Sequence, residues 1–187
     1  MSRRRWIILL LAAAAPAARL EAQSVGRPRI ALGVGSGVER GGCPACTHTG
    51  VNVLSASAEA GVAIGARLWA GAQGIAWTQP DLIEGPDHST AYLGAVAGYR
   101  LAGPLALRAG LGWHHEAWSE SGMSSAGLAY EVGLEAVLGG SRGFAFRVLA
   151  EAVPSVTGPR RSTGDGAEVR ATCRPALRHA GIGLVWR

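Results

Sequence analysis

Apolar and polar residues alternate with a period of two along most of this chain. Such alternation places successive side chains on opposite faces of a β-strand. A tilted strand needs only about 9–11 residues to cross a bilayer, and each stretch of alternation can supply about that many. The pattern therefore predicts an all-β chain with eight strands. The stretches are residues 29–38, 53–64, 67–78, 90–101, 105–118, 125–138, 144–156 and 176–186.

The connections between these stretches are short and long in strict alternation. Outer-membrane barrels have short periplasmic turns and longer extracellular loops. A chain that starts and ends on the short-turn side needs an even number of strands, and eight satisfies this. We therefore expect a closed, antiparallel, up-and-down transmembrane β-barrel. The short connections are 65–66, 102–104 and 139–143, and the long ones are 39–52, 79–89, 119–124 and 157–175.

One face of most stretches is apolar, and the other consists of Gly and Ala with isolated charges. The outer face of a soluble barrel is in contact with water and should be continuously polar, but neither face of these stretches is. The interior of an eight-stranded barrel is just wide enough for side chains to fill it, and buried charges must pair there. We therefore expect the apolar face outside, although a soluble secreted barrel with a small ligand is an alternative. The expected lumen charges are Glu59, Arg100, Arg108, Glu116, Glu131, Glu135, Arg147 and Glu151.

The stretch 67–78 has two possible orientations. Its odd positions include Trp69, Gln73 and Trp77, and its even positions are mainly Ala. With the odd face outward, the Gln73 amide would lie in the middle of a membrane. We therefore favour both tryptophans inside, and a β-bulge that switches the face partway is the alternative.

Aromatic residues lie at the ends of the apolar face. Girdles of aromatic side chains at both membrane interfaces are typical of transmembrane barrels. The expected interface aromatics are Tyr99, Phe144, Phe146 and Trp186 near the short turns, and Trp113 near the long loops.

The first residues resemble a cleavable secretory signal. Arg3, Arg4 and Arg5 precede the ten-residue apolar run 6–15, which is too short for a transmembrane helix, and a cut after Ala22 fits the pattern. We expect a signal peptide at 1–22 and one barrel domain at 23–187. The formal charge of +5 then falls to about +2, because four arginines and one glutamate leave with the signal. Scattered arginines among carboxylates do not favour nucleic-acid binding.

The C-terminal residues carry a family resemblance. His179, Gly181, Leu184 and Trp186 resemble the C-terminal assembly signal of outer-membrane barrels, with Arg187 as one extra residue. The mature chain is similar in architecture to small barrels of the OmpA, OmpX and OmpW type. The resemblance implies recognition by the barrel-assembly machinery and insertion into outer-membrane lipid, and we expect a monomer.

One candidate for catalysis is the pair His114 and Glu116 with Ser119. Acyl transfer needs a nucleophile, a base and an orienting group in contact. Some small outer-membrane barrels are lipid A deacylases, but their His-x-Ser pattern is absent here. A polar rim is therefore the favoured interpretation, and we expect neither catalysis nor a cofactor.

The cysteines and the loop charges lie in the long connections. Cys43, Cys46 and Cys173 are disulfide candidates, because a secreted chain meets an oxidising compartment. A zinc site that adds His48 is the alternative. Solvated loop charge is the favoured interpretation of the loop arginines, and binding of lipopolysaccharide phosphates is the alternative. These arginines are Arg160, Arg161, Arg170 and Arg174, and the acids Asp81, Glu84 and Asp87 lie in another loop.

Three functions therefore remain open for the barrel. The first is a non-enzymatic structural or interaction barrel with a filled lumen and exposed loops. The second is a narrow transport path for small or apolar solutes. The third is a lipid A-modifying enzyme.

Overall fold

A computed structural model describes residues 25–40, 51–79, 88–118, 123–139, 143–155, 160–162, 168–170 and 176–187. Ten strands account for most of these residues. They are β1 Pro28–Arg40, β2 Val51–Ala63, β3 Leu68–Thr78, β4 His88–Arg100, β5 Leu105–Trp118, β6 Met123–Leu138, β7 Phe144–Pro154, β8 Arg160–Ser162, β9 Glu168–Arg170 and β10 Ala176–Trp186.

Eight long strands form a closed ring. Each of β1 to β6 pairs antiparallel with the next strand, and β10 pairs with both β7 and β1. Closure leaves no open sheet edge in the ring, so the backbone polar groups of each long strand are paired on both sides. The predicted closed, antiparallel, eight-stranded barrel is confirmed. Among the described residues, no helix is long and apolar enough to span a membrane.

The ends of β1, β2, β3, β4 and β6 differ by one or two residues from the expected stretches, and two further details differ. The seventh stretch was expected to continue to residue 156, but β7 ends at Pro154, and Ser155 makes only an isolated bridge to Ala129. The long connection after β7 also contains a short hairpin, β8 and β9, which extends the loop end of β6. Three-residue strands are too short to produce a recognisable alternation in the sequence, so this hairpin was not predicted.

The turns between β4 and β5 and between β6 and β7 use glycine for its backbone freedom. Gly103 has φ 55° and Gly143 has φ 82°, in the left-handed region that L side chains rarely adopt. Gly143 also exchanges two backbone hydrogen bonds with Arg187, at 3.0 and 3.2 Å. The turn after β6 is thereby tied to the residue that follows β10.

The outer surface of the ring is apolar and its interior is polar. Each of the eight long strands exposes at least one large apolar side chain, among them Leu32, Leu93 and Leu111, each about 60% exposed or more. Charged residues such as Arg108 and Glu131 are at most 1% exposed. The expected orientation of the two faces is therefore correct, and a soluble barrel with an apolar core would have the reverse arrangement.

The odd face of β3 points into the lumen. Trp69, Gln73 and Trp77 are 4%, 1% and 5% exposed. The register between β2 and β3 runs without interruption from Ala63 to Leu54, so no bulge switches the face. The preferred orientation of this stretch is confirmed.

A glycine on β4 makes room for one of these tryptophans. Gly98 is paired with Trp69 across the β3–β4 ladder, and a Cβ at Gly98 would overlap the indole ring. The same ring lies 4.3 Å from the guanidinium carbon of Arg29, a cation–π contact. The absence of a side chain at Gly98 therefore leaves the space in which Trp69 packs against the lumen arginines.

We expect Gly98→Ala to lower the free energy of unfolding by about 1–3 kcal/mol, because the overpacked indole must move away from Arg29. Urea unfolding in detergent micelles, followed by tryptophan fluorescence, measures this change. Gly74→Ala on β3 is the matched control, since its nearest heavy atom would be 3.9 Å from the new Cβ. Equal stability of the two variants would contradict the packing argument.

Candidate functional site

The centre of the lumen holds a cluster of ion pairs around Glu59. Its carboxylate accepts hydrogen bonds from Arg29 at 2.6 Å, from Arg108 at 2.7 Å and from Arg147 at 3.0 Å. These arginines come from β1, β5 and β7, so the contacts cross the barrel rather than follow one pair of strands. One carboxylate thus joins the walls of the lumen.

Arg108 is the most connected cation of this cluster. It donates to Glu131 through both Nε and Nη2, at 3.2 and 3.1 Å, and it also donates to Gln73 and Glu59. Its side chain is fully buried. Glu135 completes the cluster by accepting from Arg29. The charges therefore neutralise one another inside the barrel, as a buried site requires.

The expected lumen residues are not all in one place. Glu59, Arg108, Glu131, Glu135, Arg147 and Glu151 are all buried in the central region. Glu116 is also buried, at 4% exposed, but it lies near the loop end of β5. Arg100 lies at the short-turn end of β4, is only partly buried, and takes no part in the hydrogen bonds that build the cluster among the described residues.

Several lumen residues were not predicted. Arg29 and Glu39 share the inward face of β1, and His88 begins β4. All three lie at or beyond the ends of the stretches of alternation. Arg29 already lies on the Gly and Ala face of the stretch 29–38, and extending that stretch by one residue would have placed Glu39 on the same face. His88 carried no such signal, because its neighbours form part of a long polar connection.

A serine, a histidine and a glutamate line up above the central cluster. His179 Nε2 lies 2.6 Å from Glu151, and its Nδ1 lies 3.2 Å from the Ser55 hydroxyl. The order matches a nucleophile, a base and an orienting carboxylate. However, Ser55 is only 7% exposed, and Glu151 also accepts from Gln73 at 3.2 Å. The arrangement connects polar groups within the packed lumen, and the Ser55 hydroxyl is largely shielded from solvent.

An apolar layer lies on the loop side of these polar residues. Its members are all inward-facing and at most 5% exposed, and they pack together across the barrel. They are Val53, Ile75, Trp77, Tyr92, Ala129, Val153 and Leu177. We call this layer the plug. The ion pairs and the plug together fill the lumen.

A second polar group lies at the loop-side mouth of the barrel. Glu39 on β1, His88 on β4 and Glu116 on β5 lie close enough for one ligand atom of each to be within 4.8 Å of the others. We call these three residues the mouth cluster. Trp77 Nε1 donates to Glu39 at 3.0 Å, so the plug and the mouth cluster are in contact.

Within the described residues, no hydrogen bond links His114 to Glu116, the pair considered for catalysis. His114 is 3% exposed, and neither ring nitrogen has a hydrogen-bond partner there. Ser119 lies outside the described residues. The residues of the signal peptide, disulfide and zinc hypotheses also lie outside the described residues, and these hypotheses stay predictions. They are 1–22, Cys43, Cys46, His48 and Cys173.

The C-terminal residues lie on both faces of β10. His179 points into the lumen and Trp186 is 40% exposed on the outer face. Tyr99, Phe144, Phe146 and Trp113 are also on the outer face, between 45% and 72% exposed. Trp186 is paired with Phe144 on β7 and with Ile30 on β1, at the short-turn end of the barrel.

No protein-family model matches this chain, and no curated protein is similar to it in sequence. Solved structures do share its fold. Ail, the attachment invasion locus protein of Yersinia pestis, has a TM-score of 0.56 at 12% identity, covering 86% of this chain and 99% of Ail. Neisserial surface protein A has a TM-score of 0.53 at 12% identity, covering 87% of this chain and 97% of that protein. Both are small eight-stranded outer-membrane barrels, and the expected resemblance in architecture is confirmed.

Proposed function

We propose that this chain is an integral outer-membrane barrel that is exported by a cleaved signal peptide and acts through its exposed loops rather than through its lumen. The observation that carries the proposal is a closed ring with an apolar exterior and a charged, tightly packed interior. Soluble monomers rarely expose contiguous apolar patches larger than a few hundred Å². A belt of such residues around the whole ring fits lipid as its surroundings.

The dimensions of the ring support the same proposal. Its long strands have 11 to 16 residues, and tilted strands of about 9–11 residues suffice to cross a bilayer. Aromatic side chains flank the apolar belt at the short-turn end, where Phe144 and Phe146 are 72% and 50% exposed. Rings at this level would lie among lipid headgroups, where aromatic residues are enriched.

The filled lumen favours an interaction barrel over a transport path. Arg108, Arg147 and Glu59 join opposite walls, and the apolar plug blocks the space above them. Contact with other molecules is then left to the loops. We propose the kind of role that the name of Ail states, attachment, with lipopolysaccharide phosphates as partners of the arginines between β7 and β10.

Expression of the full chain in a Gram-negative host tests this proposal. We expect the protein in the outer-membrane fraction, with a shift in gel mobility between unheated and boiled samples, because folded barrels resist detergent. Recovery from the soluble periplasm would contradict the membrane proposal. An unchanged lipid A mass spectrum with and without expression is expected, and an altered spectrum would favour the enzyme.

Purified protein in planar bilayers should show no sustained conductance, since ion pairs and the plug fill the lumen. A porin reconstituted in parallel is the positive control. Stable channels formed by this chain would contradict the filled lumen and would favour the transport path.

A further inference from the structure

The mouth cluster combines the donor atoms that divalent metal ions prefer. Glu39 and Glu116 offer carboxylate oxygens, and His88 offers a ring nitrogen. Two carboxylates balance the charge of a divalent cation, and a neutral imidazole adds a ligand suited to zinc. The three residues come from β1, β4 and β5, so the fold rather than a local motif assembles them.

The distances within the cluster are close to those that a metal requires. His88 Nδ1 lies 3.5 Å from a Glu39 oxygen, and His88 Nε2 lies 3.7 Å from a Glu116 oxygen. With metal–ligand bonds of about 2.0–2.2 Å, ligand atoms in a tetrahedral site lie roughly 3.3–3.6 Å apart. The two distances use different ring nitrogens, and one ligand atom of each residue lies within 4.8 Å of the others, so metal binding would require His88 to turn one nitrogen towards both carboxylates.

A buried histidine beside the cluster is a second, independent observation. His114 lies two residues from Glu116 on the inward face of β5, and the two groups interact electrostatically. It is 3% exposed, and neither ring nitrogen is in good hydrogen-bond geometry with a partner in the described part of the chain, although the backbone of Gly127 interacts with the ring. Buried polar groups ordinarily have partners. His114 therefore adds a buried imidazole beside the mouth cluster, outside its 4.8 Å group of ligand atoms.

The surroundings hold the carboxylate of Glu39 in place. Trp77 Nε1 donates to one Glu39 oxygen at 3.0 Å, and the Thr90 hydroxyl lies 3.5 Å from the other. Such contacts from residues behind the ligands orient metal-binding carboxylates in known sites. His88 is partly exposed, with 18% of its side chain accessible, which leaves a route of entry from the loop side.

We propose that Glu39, His88 and Glu116 bind a divalent transition-metal ion of the zinc class at the loop-side mouth of the barrel. The plug closes the lumen below this position, so the ion would bind from the loop side and would not pass through. Binding would tie β1, β4 and β5 together at the end where the barrel has its long connections.

Zinc titration of the folded, chelator-treated full chain in detergent micelles, followed by calorimetry, tests the proposal. We expect one zinc ion per chain. His88→Gln and Glu116→Gln should each weaken binding by about 10–100-fold or more, and Trp77→Phe by about tenfold. His115→Gln is the matched control, because His115 is the exposed neighbour of His114 on the outer face and should leave the affinity unchanged.

Each variant is first checked for the heat-dependent gel shift, so that only folded protein is compared. A second variant set distinguishes the mouth cluster from the cysteines. The triple variant Cys43→Ser, Cys46→Ser and Cys173→Ser should keep zinc binding. Loss of binding in that variant, unchanged affinity in folded His88→Gln and Glu116→Gln proteins, or no binding by the wild type would each overturn the proposal.

Discussion

Arg108→Ala is expected to lower the free energy of unfolding by about 3–5 kcal/mol, the cost of breaking a buried ion pair by removing one partner. The expected loss is large because Glu131 accepts two hydrogen bonds from this single guanidinium. Glu59 would keep Arg29 and Arg147, whereas Glu131 would lose its cation. Urea unfolding of the refolded protein in lipid vesicles measures the difference.

Arg178→Ala is the control for this measurement. Arg178 lies one residue from His179 on β10 but is exposed on the outer face, so its removal should change stability by less than about 1 kcal/mol. A similar loss in both variants would mean that the effect comes from net charge rather than from the lumen cluster.

A double-mutant cycle tests the pairing itself. Arg108→Ala with Glu131→Ala should cost clearly less than the sum of the two single changes, because the second substitution removes the stranded carboxylate. Coupling energies between contacting residues are typically about 0.5–3 kcal/mol. Strict additivity would show that Arg108 and Glu131 do not stabilise each other.

The period-two pattern predicted which face of each long strand lies inside. Glu131 and Glu135 are four residues apart on β6, which is two periods of the alternation, and both are buried. The same reasoning settled β3, because Gln73 has a polar amide that an apolar membrane would not satisfy. Faces can be read from sequence since the alternation of a strand is fixed by its geometry.

The partners of each charge could not be predicted in the same way. Arg108 on β5 bonds to Glu59 on β2, and these strands are not neighbours. Such contacts depend on the stagger of the strands around the ring and on which side chains extend across the lumen. The mouth cluster was missed for the same reason, since Glu39 and His88 are separated by 49 positions in sequence and lie at strand ends.

His179 has a place both in the C-terminal assembly signal and in the hydrogen bonds of the lumen. The C-terminal resemblance gives it a place in an assembly signal, and the structure places its ring between Glu151 and Ser55 inside the lumen. A substitution at His179 would therefore disturb the interior as well as the signal. Trp186 is the better position for testing assembly, because its side chain lies on the outer face.

Trp186→Ala is expected to reduce the folded, membrane-inserted fraction several-fold in cells. Trp186 lies at the end of β10, where this strand pairs with β1 and β7 to close the ring. An unclosed seam in lipid leaves backbone groups unpaired, each at a cost of several kcal/mol. Losing the aromatic residue that anchors this strand at the interface should therefore impair assembly more than it weakens the finished barrel.

Two controls separate assembly from general loss of an aromatic side chain. Trp113→Ala removes the same residue type from the same face at the opposite end, where it is 53% exposed, and should leave insertion nearly normal. Arg187→Ala keeps the backbone pair with Gly143 and should also insert normally. Cell fractionation with the heat-dependent gel shift measures the inserted fraction of each variant.

Refolding in vitro completes the comparison, because it needs no assembly machinery. Purified Trp186→Ala protein should refold in detergent micelles with a stability within about 1–2 kcal/mol of the wild type, the scale of one partly exposed aromatic side chain. Poor insertion in cells together with normal refolding would assign Trp186 to the assembly signal. Equal defects in Trp186→Ala and Trp113→Ala, or normal insertion of Trp186→Ala, would show that the C-terminal aromatic has no such role.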